Sequence, residues 1–128
     1  MLSLRREPTP LEERLGYRFR NPELLETALT HRSLANERGL AANYERLEFL
    51  GDAILGALTA EWLYEQQPGQ PEGELSKLKS SLVAEASLAG HAERLGLGEE
   101  LRLGVGEQRS GGRRKRSLLA DAVEAVFG

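Results

Sequence analysis

Apolar residues recur at helical spacing through the middle of the chain. This segment carries Leu47, Leu50, Ile54, Leu55, Leu58 and, further along, Trp62. Because the spacing follows a period of about 3.6 residues, it predicts one long helix from about Tyr44 to Gln66. Pro68 and Gly69 end this helix. A glycine inside a helix costs about 1 kcal/mol relative to alanine, so we expect Gly51 to have a packing or functional reason.

Two shorter helices are predicted before the central one. The segment Thr9-Pro10-Leu11-Glu12 combines a capping-box spacing with proline at the first helical position, and this helix ends by Gly16. Asn21-Pro22 repeats the N-terminal signal. The apolar face of the second helix consists of Leu24, Leu25, Ala28 and Leu29. Residues 1–8 are polar and aperiodic, which predicts a disordered tail, and the surroundings of Gly39 predict a loop.

The pattern after the central helix predicts further helices separated by a long loop. An amphipathic helix is expected over residues 74–88, and another ends at Gly96. Residues 97–116 consist mostly of glycine and charged residues, which predicts a loop that is functional or disordered. Ser117 is expected to cap a last helix over residues 118–127.

These elements predict an all-α fold, because no β-type alternation of useful length occurs. The length suits a single domain, which we place at residues 9–128. The last predicted helix has an apolar face of Ala122, Val123, Val126 and Phe127, and only Gly128 follows. We expect either that a partner covers this face or that the chain is a shortened domain whose last helix is missing.

Composition places the chain among soluble globular proteins, with 40% hydrophobic and 29% charged residues. No apolar run approaches the ~18 residues of a membrane span, and the N-terminus has no signal-peptide pattern. We therefore expect a cytoplasmic protein without a membrane partner. The absence of cysteine excludes disulfides and thiolate zinc sites.

Charge is distributed unevenly along the chain. Residues 109–116 contain five cations and no anion, and because the whole chain has a net charge of −3, the rest carries −8. This asymmetry fits a basic loop that meets phosphates beside an acidic site that holds a metal. A flexible, solvated loop without a specific role explains the charge run equally simply.

Five acids fall on two predicted helices. On the central helix, Glu45, Glu48 and Asp52 lie within about 60° of one face. Asp121 and Glu124 lie one turn apart on the last helix, among apolar neighbours. Like charges on one face repel each other, so a divalent cation is the natural counter-charge. Solvent-facing charge is the alternative.

The residue types and motifs of the chain limit the kind of functional site that it could carry. Carboxylate oxygens favour magnesium, manganese or calcium over zinc or copper, and the chain has no twelve-residue calcium loop. His31 and His91 are more typical of structural hydrogen bonding than of catalysis. No serine-nucleophile or phosphate-loop motif occurs. The residues alone therefore indicate a helical protein that binds a divalent metal and could cleave a phosphodiester, without indicating its substrate.

The run from Glu45 to Leu55 resembles the hallmark motif of the ribonuclease III endonuclease domain. Three other stretches resemble that domain in the right order, and the resemblance covers roughly residues 11–128. They are Leu15-Gly16-Tyr17-Arg18-Phe19 with Ala28-Leu29-Thr30-His31-Arg32-Ser33, Glu72-Gly73-Glu74-Leu75-Ser76, and Leu119-Ala120-Asp121-Ala122-Val123-Glu124-Ala125.

The resemblance implies a role for individual residues. The magnesium-site acids of the family fall on Glu48, Asp52, Asp121 and Glu124, and Asp52 and Glu124 match the catalytic positions. Glu45 is expected to pair with Glu72 in the valley that binds RNA. Arg113 and Arg114 belong to the basic segment that approaches RNA. Phe49 matches an aromatic knob that inserts into a partner subunit, although an ordinary core phenylalanine is the simpler alternative.

The function that the resemblance implies is Mg²⁺-dependent cleavage of double-stranded RNA by a homodimer, with Mn²⁺ as a possible substitute. Its products would carry 5′-phosphate and 3′-hydroxyl ends with short 3′ overhangs, and its substrates would be ribosomal and other structured precursor RNAs. Bacterial members also carry a double-stranded-RNA-binding domain, which residues 1–128 do not include. The alternatives are a non-catalytic RNA-binding or scaffolding member of the same fold and a helical dimerisation module.

Overall fold

Nine α-helices build the described part of the protein, residues 6–128 of a computed structural model. They are α1 (Pro10–Leu15), α2 (Pro22–Ala28), α3 (Arg32–Arg38), α4 (Glu45–Gln66), α5 (Glu72–Leu82), α6 (Glu85–Leu95), α7 (Leu97–Glu100), α8 (Val105–Arg109) and α9 (Arg116–Phe127). One 3-10 turn, Gly112–Arg114, precedes α9. Within residues 6–128 the only β-type pairing is a single bridge between Thr30 and Arg102. The all-α prediction is confirmed.

The long helix α4 packs against α9, and this pair forms the centre of the fold. The two backbones touch at glycines. A Cβ atom added to Gly51 would lie 1.5 Å from the carbonyl oxygen of Glu124, and one added to Gly128 would lie 2.1 Å from that of Leu47. The expected packing reason for Gly51 is therefore confirmed: only glycine permits this crossing.

The N-terminal helix signals are confirmed. Thr9 forms both hydrogen bonds of the capping box with Glu12, and α1 ends at Gly16, whose φ is +68°. The Glu12 side chain is buried and also binds Arg6 at 2.6 Å and the amide of Phe19 at 2.8 Å. Arg6 belongs to the segment predicted as a disordered tail, and residues 1–5 of that segment lie outside the described part of the chain.

The helix predicted over residues 74–88 is wrong, because two helices occupy this region. The chain breaks at Val83 and Ala84, where Ala84 takes an extended conformation. The reason is tertiary: α5 packs against α4, whereas α6 packs mainly against α9, so the chain must change direction. An unbroken apolar pattern does not reveal such a change.

Three further differences lie at helix ends and loops. Helix α3 was not predicted, because its N-cap is His31, a residue seldom associated with helix starts. Residues 97–116 contain α7, α8 and the 3-10 turn, so the prediction of a plain loop is wrong. The last helix begins at Arg116 with Lys115 as N-cap, and Ser117 therefore lies inside the helix.

The core lies where α6 and α9 meet the N-terminal helices. Its most deeply buried members are Ala92 and Leu97, both with no measurable exposure, followed by Ala89, Leu119 and Ala122. Leu24 is half-exposed, so only part of the predicted apolar face of α2 enters this core. No helix in residues 6–128 combines the length and the apolarity needed to cross a membrane.

Candidate active site

The crossing of α4 and α9 brings four acids together. Glu48 and Asp52 lie one turn apart on α4, on either side of Gly51, and Asp121 and Glu124 lie one turn apart on α9. The carboxyl groups interact as two pairs across the crossing. Glu48 faces Asp121, and Glu124 faces Asp52. The contact between the two helices at Gly51 is what allows side chains as short as aspartate to meet.

The electrostatics of the site disfavour four separate negative charges. Burial raises the pKa of Glu48 to about 7, and the charge and hydrogen bond of Asp121 add to the shift. Burial likewise raises the pKa of Glu124 to about 7, reinforced by the hydrogen bond to Asp52 and the charges of Asp52 and Asp121. A carboxyl–carboxyl hydrogen bond requires a proton, so each pair tends to retain one near neutral pH.

Within residues 6–128, no basic side chain forms a salt bridge with these acids. In the described part of the chain, none of the four lies within 4.0 Å of a lysine, arginine or histidine nitrogen. Among the same residues, no group of three or more His, Asp or Glu side chains is already arranged to hold a metal ion. The structure thus shows two acid pairs that lack a counter-charge and does not show a closed cage.

Tyr44 is a site residue that sequence reasoning missed. It precedes α4, is 9% exposed, and its hydroxyl lies 3.5 Å from Oδ2 of Asp121. Burial raises the pKa of Tyr44, and the negative charges of Asp121 and Glu48 raise it further. The sequence marks this tyrosine only as the start of a helix, and its proximity to Asp121 depends on the tertiary fold.

Glu45 and Glu72 do not meet within one chain. Glu45 is the first residue of α4 and Glu72 follows its end, so the helix of 22 residues, about 33 Å long, separates them. Glu45 lies 3.9 Å from Arg32, and Glu72 accepts a hydrogen bond from Ser76 at 2.9 Å. Their expected pairing is wrong for a single chain and stays a prediction for two subunits.

The two histidines have structural surroundings. His31 is buried, stacks on the Tyr44 ring at a centroid distance of 5.5 Å, and accepts a hydrogen bond from the Ser33 amide through Nδ1. Burial lowers the pKa of His31. His91 is exposed and contacts Arg94. Neither histidine contacts the four acids through a hydrogen bond within residues 6–128, in agreement with the structural interpretation.

The basic segment 109–116 divides into two kinds of side chain. Arg113 donates to the carbonyl oxygens of Gly98, at 3.1 Å, and of Leu101, so its guanidinium fastens α7. Lys115 pairs with Glu107 at 2.8 Å. The remaining cations of the segment are exposed and form no salt bridge in the described part; they are Arg109, Arg114 and Arg116.

Phe49 is not a core residue of the single chain. Its side chain is 81% exposed, the largest value among the exposed large hydrophobic residues in the described part. The simpler alternative from the sequence, an ordinary core phenylalanine, is therefore wrong. On the same helix Tyr64 is 76% and Trp62 is 54% exposed, so α4 carries several aromatic side chains that the monomer does not bury.

Comparison with known proteins identifies the fold as that of a class of ribonucleases. A family model described as ribonuclease-III-like matches residues 21–128. Ribonuclease 3 of Coxiella burnetii (strain Dugway 5J108-111) is 53% identical over 118 residues, which is 92% of this chain and 48% of that protein. Ribonuclease 3 of Leifsonia xyli is 57% identical over 118 residues, covering 92% of this chain and 49% of that protein.

A solved structure supports the same family assignment. The nuclease domain of ribonuclease III from Campylobacter jejuni superposes with a TM-score of 0.86 at 44% identity, covering 91% of this chain and 79% of that one. In that protein, a structurally flexible region is involved in dimer formation. The chain belongs to the ribonuclease III family, and its fold is that of the nuclease domain. It spans about half the length of the curated relatives that it matches.

Proposed function

We propose that the chain is a Mg²⁺-dependent endoribonuclease domain that cuts double-stranded RNA in the cytoplasm. It would process ribosomal and other structured precursor RNAs and leave 5′-phosphate and 3′-hydroxyl ends with short 3′ overhangs. Membership of the ribonuclease III family supports the reaction class. The observation that carries the proposal is the meeting of four acids at the contact between Gly51 and Glu124, where none of them has a basic partner among residues 6–128.

The donor set fits magnesium by its chemistry. Glu48, Asp52, Asp121 and Glu124 would hold the ion, because hard divalent cations prefer carboxylate oxygens. Mn²⁺ shares this preference and could substitute. Two acid pairs that retain protons near pH 7 indicate excess negative charge, which a cation would relieve. A bound Mg²⁺ would supply a lowered pKa for water and stabilisation of negative charge on the phosphate.

The protein's own side chains would handle the protons. Burial and the neighbouring Asp52 raise the pKa of Glu124 to about 7, so Glu124 could gain or lose a proton near the working pH, which suits general acid–base catalysis. Hydrolysis joins a water oxygen to phosphorus and breaks the bond to the 3′-oxygen. The water loses a proton and the 3′-oxygen gains one, so hydrolysis needs one group that accepts a proton and one that returns it.

The RNA-binding surface would combine acids of the valley with exposed cations. Glu45 and Glu72 remain proposed valley residues, and their separation along α4 means that they could meet only across two subunits. Arg114 remains a proposed phosphate contact, and its exposed neighbours Arg109 and Arg116 join it. Arg113, placed here with Arg114 from the sequence, would act indirectly by holding the segment. Duplex RNA is recognised mainly through shape, phosphates and 2′-hydroxyls, which these cations suit.

A homodimer would place two such sites on one duplex. The supporting observation is Phe49, because 81% of its surface stays exposed in the single chain. Exposed apolar surface of this kind marks an interaction site. The involvement of a region of the Campylobacter jejuni nuclease domain in dimer formation supports the same assembly.

Cleavage of a defined duplex tests the substrate and the products. The chain is incubated with an end-labelled RNA duplex, with and without Mg²⁺, beside each strand alone. The expected result is Mg²⁺-dependent cutting of the duplex only, with ends that a 5′-phosphate-dependent ligase accepts. A longer family member that includes a double-stranded-RNA-binding domain is the control for weak affinity. Equal cutting of single strands, or products with 3′-phosphates, would contradict the proposal.

A further inference from the structure

We propose that Tyr44 is a positioning residue that orients the carboxylate of Asp121 for cation binding. The inference rests on the proposed function and adds a residue to it. Tyr44 lies directly before α4, and Asp121 lies on α9, 77 residues further along the chain. The phenol hydroxyl and Oδ2 of Asp121 are 3.5 Å apart, which is longer than the roughly 2.5–3.0 Å of a well-formed O–H···O hydrogen bond. Hydrogen bonds within an active site are often long before the ligand binds and shorten afterwards.

The Tyr44 side chain is enclosed by its neighbours. One face stacks on His31 with an interplanar angle of 21°. The ring also packs with Ala28 and with Ala125, the residue that follows Glu124 on α9. With 9% of its surface exposed, the side chain has little freedom to rotate away from α9.

The backbone of Tyr44 is also fixed. Its amide donates to the carbonyl oxygen of Thr30 at 2.9 Å, and its own carbonyl accepts from the amide of Glu48 at 2.8 Å. Tyr44 thus connects two of the acids: Glu48 through the backbone and Asp121 through the phenol. A shift of this residue would move both.

Behind Tyr44, a bridge between distant segments holds Thr30. Arg102 donates to Oγ1 of Thr30 at 3.0 Å and pairs with Glu26 at 2.8 Å. The amide of Arg102 binds the carbonyl of Leu29, and the amide of His31 binds the carbonyl of Arg102. This bridge fixes the support on which the Tyr44 ring rests, and neither Arg102 nor Thr30 reaches the acids themselves.

The chemical role of Tyr44 follows from its phenol group, which can donate a hydrogen bond. A phenol is protonated at neutral pH, because its ordinary pKa is about 10, so it donates to a carboxylate. One donor on Oδ2 restricts rotation of the Asp121 carboxylate and leaves its other acceptor positions available. Outer-shell partners that orient a ligand in this way typically contribute about 10- to 100-fold to metal affinity or activity. Because the contact is long, the expected effect lies at the lower end.

Metal binding without RNA tests the proposal. Mg²⁺ and Mn²⁺ affinities are measured by calorimetry for the wild type, Tyr44→Phe and Tyr64→Phe. Tyr64 is a matched control, because it is an exposed tyrosine on α4. We expect Tyr44→Phe to weaken binding by about tenfold and Tyr64→Phe to leave it unchanged. Equal affinity in Tyr44→Phe and the wild type would overturn the role of Tyr44 alone. No binding by the wild type would overturn the proposed function as well.

Cleavage at varied Mg²⁺ separates positioning from folding. Phenylalanine keeps the stacked ring, and melting without metal checks that the fold persists. If Tyr44 orients a metal ligand, excess Mg²⁺ restores the wild-type rate in Tyr44→Phe, and the half-maximal Mg²⁺ concentration rises by about tenfold. A merely structural defect would lower the rate equally at every Mg²⁺ concentration, and that result would overturn the proposal.

Discussion

The backbone of Gly51 in α4 lies against the carbonyl group of Glu124 in α9, so closely that an added Cβ would stand 1.5 Å from that oxygen. Asp52 follows Gly51, and Glu124 carries its partner carboxyl group. The close approach of α4 and α9 at Gly51 therefore also brings the carboxyl groups of Asp52 and Glu124 together.

Replacement of Gly51 tests this relationship. Gly51→Ala should destabilise the protein by about 1–3 kcal/mol, because overpacking forces α4 and α9 apart. It should also abolish RNA cleavage, since the two helices carry opposite members of each acid pair. Gly56→Ala is the matched control, because its added Cβ would meet only the flexible Lys79 side chain at 3.5 Å. Urea unfolding measures both variants, and equal stabilities would contradict the close crossing.

The raised pKa values of Glu48 and Glu124 predict a dependence of stability on pH. The folded values, about 7, lie above those of unfolded glutamate, near 4.3. Between these values the folded protein holds more protons, so this contribution to stability falls as pH rises from 5 to 8. His31, whose pKa is lowered by burial, has the opposite effect. The comparison must therefore use a variant that retains His31.

Glu124→Gln provides that comparison. Glutamine cannot ionise, so the variant lacks this loss of stability at higher pH. Without metal, the melting temperature of the variant relative to that of the wild type should therefore rise by a few degrees from pH 5 to pH 8, after allowance for solvent screening. Mg²⁺ at pH 8 should raise the melting temperature of the wild type. A constant difference between the two proteins from pH 5 to 8 would contradict the repulsion among the acids.

In the basic segment, the exposed arginines should behave differently from Arg113, which donates hydrogen bonds to backbone carbonyl groups. Arg114→Ala and Arg116→Ala should each weaken RNA binding and reduce the slope of log affinity against log salt by about 1, with no change in stability. Arg113→Ala should instead lower the melting temperature, because Arg113 binds the carbonyl groups of Gly98 and Leu101. Filter binding at several salt concentrations, with melting curves, distinguishes these outcomes. Identical behaviour of all three variants would contradict the division.

Phe49 should determine the oligomeric state. If each subunit buries this side chain in its partner, Phe49→Ala removes roughly 3 kcal/mol or more over two copies and raises the dimer Kd more than about 100-fold. Light scattering after size-exclusion chromatography measures the shift toward monomer. Tyr64→Ala is the control, since Tyr64 is nearly as exposed and lies about 22 Å away along α4. An unchanged mass distribution for Phe49→Ala would remove Phe49 from the interface.

Local signals in the sequence predicted the elements whose ends depend on their own residues. The capping box at Thr9, the proline at position 10 and the spacing of the central helix all describe interactions within one helix. The break at Val83 and Ala84 escaped prediction, because it depends on which neighbour each helix meets. Helix α3 was missed for a local reason, because its N-cap is His31, a residue seldom associated with helix starts.

The candidate site likewise combines residues that the local sequence marks with residues whose role depends on tertiary contacts. The spacing of the sequence marked five acids on two predicted helices, and the family resemblance reduced the proposed metal site to four of them. Tyr44, the engagement of Arg113 and the separation of Glu45 from Glu72 depend on contacts over long stretches of sequence. A residue's type suggests what it can do, and the fold decides which of its partners are within reach.

Cleavage of an RNA duplex by the wild type and Glu124→Gln in the presence of Mg²⁺ is the most direct test. The account predicts cutting by the wild type and a loss of at least about 100-fold in the variant, with its fold and RNA affinity retained. Glu61→Gln, which changes an exposed acid elsewhere on α4, should cut like the wild type. Equal cutting by Glu124→Gln and the wild type would contradict the assignment of the four acids.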